Sequence, residues 1–159
     1  MPPPLLVDLA KVDPDHVVLS REQIYERHLP HRHEFMLIDG ICSVDRDADA
    51  IVAFVDIRAN AWWFRGHVPG RPLLPGVLML EAAAQASAIG ACLLRDHQGF
   101  LGFGGVDRCK FRDTVTAPSR LFLLCVLADY RPRRIISKNQ GVVNGRLVFE
   151  ADITGLTLR

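Results

Sequence analysis

A chain of 159 residues fits one domain and can bury a core of its own. Hydrophobic residues make up 49% and charged residues 23%, too apolar for a disordered chain, and a net charge of +1 argues against a nucleic-acid-binding surface. Cys42, Cys92, Cys109 and Cys125 form no C-x-x-C pair, which suits reduced thiols in a cytoplasm better than a disulfide framework.

In chain order, residues 1–19 read as an extended lead-in containing Pro2, Pro3, Pro4 and Pro14, without the basic start and apolar run of a secretory signal. Ser20 and Gln23 predict a capping box for a short helix through Arg27. His28, His31, His33 and Glu34 have spacings that can ligate a metal, but no second ligand cluster accompanies them, so a metal is not expected. Residues 35–44 and 51–57 are apolar on either side of the polar stretch DRDAD, which predicts a hairpin with a longer loop.

The next segment, GHVPGRPLLPGVLMLEAAAQ (66–85), carries the chemistry. From Leu73 to Leu94 only Glu81, Gln85 and Ser87 have polar side chains, and about 20 apolar residues are enough to cross a bilayer. A carboxylate and an amide near the middle are costly in lipid, so a core helix near 75–94 is expected and no membrane span. Glu81 inside such a helix costs free energy unless it has a partner or a task, and His67 is the nearest candidate to share one. Pro75 and Gly76 open the helix, where the N–H groups of Gly76 and Val77 point a positive dipole end outward. Gln85 lies one turn after Glu81 and can orient its carboxyl group, or can simply be a satisfied core amide.

Residues 99–111, 120–130, 134–143 and 147–156 read as strands, the last two flanking the tight-turn signal Asn144-Gly145. About six strands with one dominant helix, and no repeat or linker, give a single α+β domain over 1–159 in which an antiparallel sheet curls round the helix. Sheet edges are commonly hidden by pairing, so a homodimer is expected. Arg131, Arg133 and Arg134 surround Pro132 in a turn, and Arg108, Lys110 and Arg112 alternate along a strand. Each set offers a local basic surface or a solvated one.

These residues carry a family resemblance. LPHRHEFMLIDGI (29–41), the 66–85 segment, GGVDRCKFRDTV (104–115) and VNGRLVFEADI (143–153) resemble, in order and at matching spacing over residues 20–154, the hotdog-fold (3R)-3-hydroxyacyl-acyl-carrier-protein dehydratases of the FabZ type. The resemblance implies a hotdog fold and a dimer in which His67 of one subunit faces Glu81 of the other at the mouth of an acyl tunnel. His67 is then the base or proton shuttle, Glu81 its acidic partner, Gly76 and Val77 the donors to the thioester oxygen, and Gln85 a support. It also implies a cytoplasmic enzyme of fatty acid or related acyl metabolism, possessing no cofactor. Its partner would be an acidic acyl carrier protein, met first by Arg131, Arg133 and Arg134, and its assembly a dimer or a hexamer of three dimers. The pattern departs at His33-Glu34, Gly40, Leu101-Gly102 and Ala117-Pro118-Ser119, which leaves chain length and pathway open. A non-catalytic acyl-binding protein and, with less support, a thioesterase are the alternatives.

Overall fold

The computed structural model describes residues 1–158, with strands β1 (Leu19–Ser20), β2 (Gly40–Asp45), β3 (Ala50–Ile57), β4 (Leu101–Phe111), β5 (Ser119–Arg131), β6 (Arg134–Val143) and β7 (Arg146–Thr157). The helices are α1 (Arg21–Arg27), the single turn α2 (Phe64–His67) and the long α3 (Gly76–Arg95). The strands form one antiparallel sheet in the order β1-β2-β3-β5-β6-β7-β4. Seven strands replace the expected six because β1, two residues long, joins the edge through Leu19 and Ser20.

Local chemistry accounts for the boundaries. The capping box forms as expected, Ser20 accepting from the Gln23 N–H and Gln23 accepting from the Ser20 N–H. Asn144 and Gly145 both take positive φ, 49° and 74°, which a tight hairpin turn of the primed type requires. The expected strand start at residue 35 is wrong: His33–Phe35 is a turn of 3-10 helix, and pairing begins only at Gly40. Leu37 and Ile38 are apolar because they are buried, not because they extend a strand. Pro75 has φ −58° and ψ 130°, so it caps α3 from outside and Gly76 is the first helical residue.

α3 lies against the inner face of the sheet through Met79, Ala82, Ala83, Ala86, Ile89, Ala91 and Leu94. Its alanines let the helix sit close to β5, β6 and β7, while the larger side chains come mostly from the strands. This settles the apolar stretch as a core helix: half its residues are buried, as a span facing lipid would not be. The outer face carries a second, smaller cluster. Leu6, Val7, Leu9 and Val12 of the lead-in pack over Cys42, Val52, Phe54, Leu124 and Val142. Buried Gln140 fastens the lead-in, accepting from the Leu6 N–H at 2.8 Å and donating to the Pro4 carbonyl at 3.1 Å. Gly40, one of the departures from the family pattern, has a packing reason: a Cβ there would stand 2.7 Å from the Phe54 ring.

Candidate active site

His67 ends α2 and is exposed. Its Nδ1 lies 3.0 Å from the Leu73 carbonyl oxygen, which only accepts. The ring proton therefore sits on Nδ1, and Nε2 presents a lone pair outward, the tautomer a base needs. The Leu73 loop is itself fixed, since the Leu74 N–H donates to the Val115 carbonyl and Leu73 bridges Thr116.

Glu81 sits in the second turn of α3, half-buried, within a chain of hydrogen bonds that begins in α1. The Ile38 N–H donates to the Tyr25 hydroxyl at 2.9 Å, and that hydroxyl donates to Gln85 Oε1 at 2.6 Å. With its oxygen so occupied, the Gln85 amide must turn its NH2 outward, where it donates to the Phe35 carbonyl and to Glu81 Oε1, each at 2.9 Å. Gln85 is 1% exposed and uses both ends, so it is an orienting group as well as a core amide. His31 Nε2 lies 3.6 Å from the same Oε1. Among the described residues Glu81 Oε2 has no partner.

Glu81, Gln85, Tyr25 and His31 line one wall of a groove of about 530 Å³. It runs along α3 past Ala84, Ala88 and Cys92 to His97 and Phe100–Phe103. Small side chains at Ala84 and Ala88 leave room for a chain-like ligand. Ser87 and Ser137 bring polar atoms to the wall, tied to each other at 2.6 Å and to Asn139. At the far end buried His97 meets the Tyr130 hydroxyl at 3.1 Å, and desolvation holds its pKa below the ordinary histidine value. Leu101 and Gly102, a second departure from the family pattern, lie in this wall.

His67 does not line the groove. Gly76 and Glu81 are five residues apart on α3, about 140° round the helix, so the helix start and the carboxylate face different ways. Gly76 lies against Phe111, whose ring would be 3.1 Å from a Cβ at that position. No side chain of the described residues caps the start of α3, and Val77 is 68% exposed beside it. Within one chain, the groove that Glu81 lines thus includes neither His67 nor Gly76.

Of the basic sets, Arg131 and Arg134 both pair with Asp129, at 3.5 and 2.8 Å. Their turn adjoins the His97 end of the groove, since Thr157 donates to the Pro132 and Arg133 carbonyls. Arg108 pairs with Asp152 and Arg112 with Glu150 across the β4–β7 ladder. Arg65 and Arg71, which flank His67, are exposed and unpaired among the described residues. No group of three metal-ligating side chains occurs among the described residues, and His28, His31, His33 and Glu34 are not gathered into one.

Sequence reading had singled out His67, Gly76, Val77, Glu81, Gln85 and the two basic sets; it missed His97 with Tyr130, and Arg65 and Arg71, and at the carboxyl group itself the Tyr25 bridge and the contact of His31 with Glu81. Both depend on α1 and the 29–32 loop folding back over α3, which no local pattern announces.

Comparison with known proteins gives a consistent result. The model of the FabA-like domain matches residues 29–152. A 3-hydroxyacyl-[acyl-carrier-protein] dehydratase FabZ from Enterococcus faecalis is 39% identical over 127 residues, 79% of this chain and 89% of that protein. One of the same name from Oceanobacillus iheyensis is 35% identical over 86% of this chain and 97% of that protein. Among solved structures, the dehydratase heterocomplex ApeI:P from Xenorhabdus doucetiae superposes with TM-score 0.69 at 17% identity, over 84% of this chain and 90% of that one. A thioesterase from Haemophilus influenzae superposes with TM-score 0.60 at 11% identity, over 76% and 78%. These two likenesses concern the fold alone.

Proposed function

Because the chain belongs to the FabZ-type dehydratases within the FabA-like family, we propose that it converts (3R)-3-hydroxyacyl groups, carried as thioesters on an acyl carrier protein, to trans-2-enoyl groups in fatty acid or related acyl biosynthesis. The observation that carries the reading is Glu81: a carboxyl group on a core helix, beside a chain-shaped groove, with Oε1 held by Gln85 and Oε2 left open.

Dehydration must remove a weakly acidic proton from C2 and expel hydroxide from C3. His67 Nε2 takes the C2 proton, the C–H pair becomes the new double bond, and Glu81 delivers a proton to the departing hydroxyl so that it leaves as water. The N–H groups of Gly76 and Val77, at the uncapped start of α3, bind the thioester oxygen as charge builds on it. Because His67 does not line the groove that holds Glu81, a complete site takes His67 from one copy and Glu81 from another. The long edge strand β4, with Phe103, Val106 and Phe111 exposed, supports a homodimer, and three such dimers can form a hexamer. The free cysteines fit a cytoplasmic setting. The reaction as written needs no cofactor.

A covalent thioesterase reading finds no support in the groove. Ser87 donates its hydroxyl proton to the Ala83 carbonyl, and burial pushes the Cys92 thiol up.

The test is enoyl formation from a series of synthetic (3R)-3-hydroxyacyl thioesters. Glu81→Gln keeps the size and removes the acid, and His67→Ala removes the base. Each is expected to lower kcat by at least about a hundredfold with the dimer intact. Full activity in both variants would overturn the assigned roles.

A further inference from the structure

The groove places a histidine of the same chain, His31, at the Glu81 carboxyl group. His31 is not a swinging loop residue: the Arg32 Nη1 donates to the carbonyls of Tyr25, Leu29 and His31 itself, at 2.9, 3.1 and 2.8 Å, and so lashes the loop onto α1. The imidazole stands edge-on to Tyr25, with ring centroids 6.3 Å apart. Among the described residues its buried Nδ1 has no hydrogen-bond partner, and its Nε2 faces Glu81 Oε1 at 3.6 Å.

This geometry decides where the protons sit. A neutral imidazole has one N–H, and nothing accepts at Nδ1, so the proton belongs on Nε2, toward the carboxyl group. The Gln85 amide donates to the same Oε1. Two donors converging on one oxygen make that oxygen the acceptor, and a protonated Glu81 must then carry its hydrogen on Oε2. We propose that His31 is a positioning residue which, with Gln85, fixes Oε1 as the acceptor and reserves Oε2 as the oxygen that exchanges a proton with the substrate. The inference rests on the dehydratase reading given above.

Neutrality matters to the device. A histidinium this close would hold Glu81 ionised and oppose its role as an acid, whereas a neutral N–H orients it without that penalty. Burial favours the neutral form of His31, opposed by the charge of Glu81 from α3 and assisted by neighbouring Arg32; Tyr25 from α1 carries no charge at neutral pH. His28 and Arg27 stand in the same groove wall. At 3.6 Å the contact is longer than a hydrogen bond, as catalytic contacts often are before substrate closes the site.

Two substitutions separate positioning from packing. His31→Phe keeps the ring edge on Tyr25 and removes the donor, while His31→Gln places an amide N–H near the position of Nε2. With a small (3R)-3-hydroxyacyl thioester, His31→Phe is expected to lower kcat by about 10–100-fold with KM within about twofold. His31→Gln should stay within about threefold of the parent kcat. Unchanged kcat in His31→Phe, or equal loss in both variants, would overturn the proposal. A second arm needs no turnover: the ring nitrogens of His31, followed by 15N NMR, should show the Nε2-protonated tautomer, and Glu81→Gln should lower the pH at which the ring titrates. A titration indifferent to Glu81 would overturn the contact. If the parent protein fails to dehydrate any substrate, the dehydratase reading falls, and the NMR arm still judges the pairing of His31 with Glu81.

Discussion

Tyr25 shows how one hydroxyl governs a site from outside it. It accepts from the Ile38 N–H and donates to Gln85 Oε1, so removing it leaves two buried groups without partners, and the Gln85 amide becomes free to turn over. An unsatisfied buried polar group costs about 1–3 kcal/mol, more than the hydrogen bond itself contributes. Tyr25→Phe is therefore expected to lower unfolding free energy by about 1–3 kcal/mol in a urea titration, and to reduce kcat more than KM because Glu81 loses its fixed orientation. An unchanged midpoint and kcat would show that Gln85 is held by Phe35 alone. At this scale the sequence was informative where a residue was costly: Glu81 stood out as a charge in an apolar helix, and His67 as a histidine in a loop of glycine and proline. Tyr25 and His31 did not, because each is cheap locally and gains its role only when α1 closes over α3.

At the scale of elements, the hydrophobic runs and the turn signals between them located six strands and both principal helices to within a few residues. They failed where apolar character had another cause, at 36–38, where burial without pairing imitates a strand. The lead-in was legible only as proline-rich and extended. Its purpose is to cover Val52, Phe54, Leu124 and Val142 on the outer face of the sheet, with Gln140 as its clasp. Deleting residues 1–12 should uncover that cluster and lower the melting temperature, with aggregation before unfolding, while leaving Glu81 and its groove on the inner face in place. Gln140→Ala should cause a smaller loss, about 1–3 kcal/mol, because Leu6 N–H and Pro4 carbonyl can find water instead. A truncated chain as stable as the parent would mean that the lead-in rests on the sheet without supporting it.

For the whole molecule the question is how a nearly neutral protein would attract the acidic carrier proposed as its partner. With a net charge of +1 the long-range field is weak, so steering must come from a local patch of unpaired positive charge close to where the thioester reacts. The sequence pointed to Arg131, Arg133 and Arg134 because they are clustered in an exposed turn. Asp129 neutralises much of that cluster, and the turn lies at the His97 end of the groove, while Glu81 lies about 20 Å away along the axis of α3. The pairing of Arg134 with Asp129 is not visible without the β5–β6 register, and the turn's place is not visible without Thr157 reaching from it to His97. Arg65 and Arg71 flank His67, are exposed and have no carboxylate partner among the described residues, so they suit the carrier better. Replacing both with Ala should lower kcat/KM on a carrier-linked substrate by about tenfold and flatten its dependence on salt. Turnover of a small thioester without a protein carrier should be spared. The triple Arg131, Arg133 and Arg134 to Ala variant should change carrier-linked turnover by less than about threefold. If the triple variant loses the salt dependence and the double one keeps it, the carrier approaches from the His97 end. Its acyl chain would then have to enter the groove from the side opposite to Glu81.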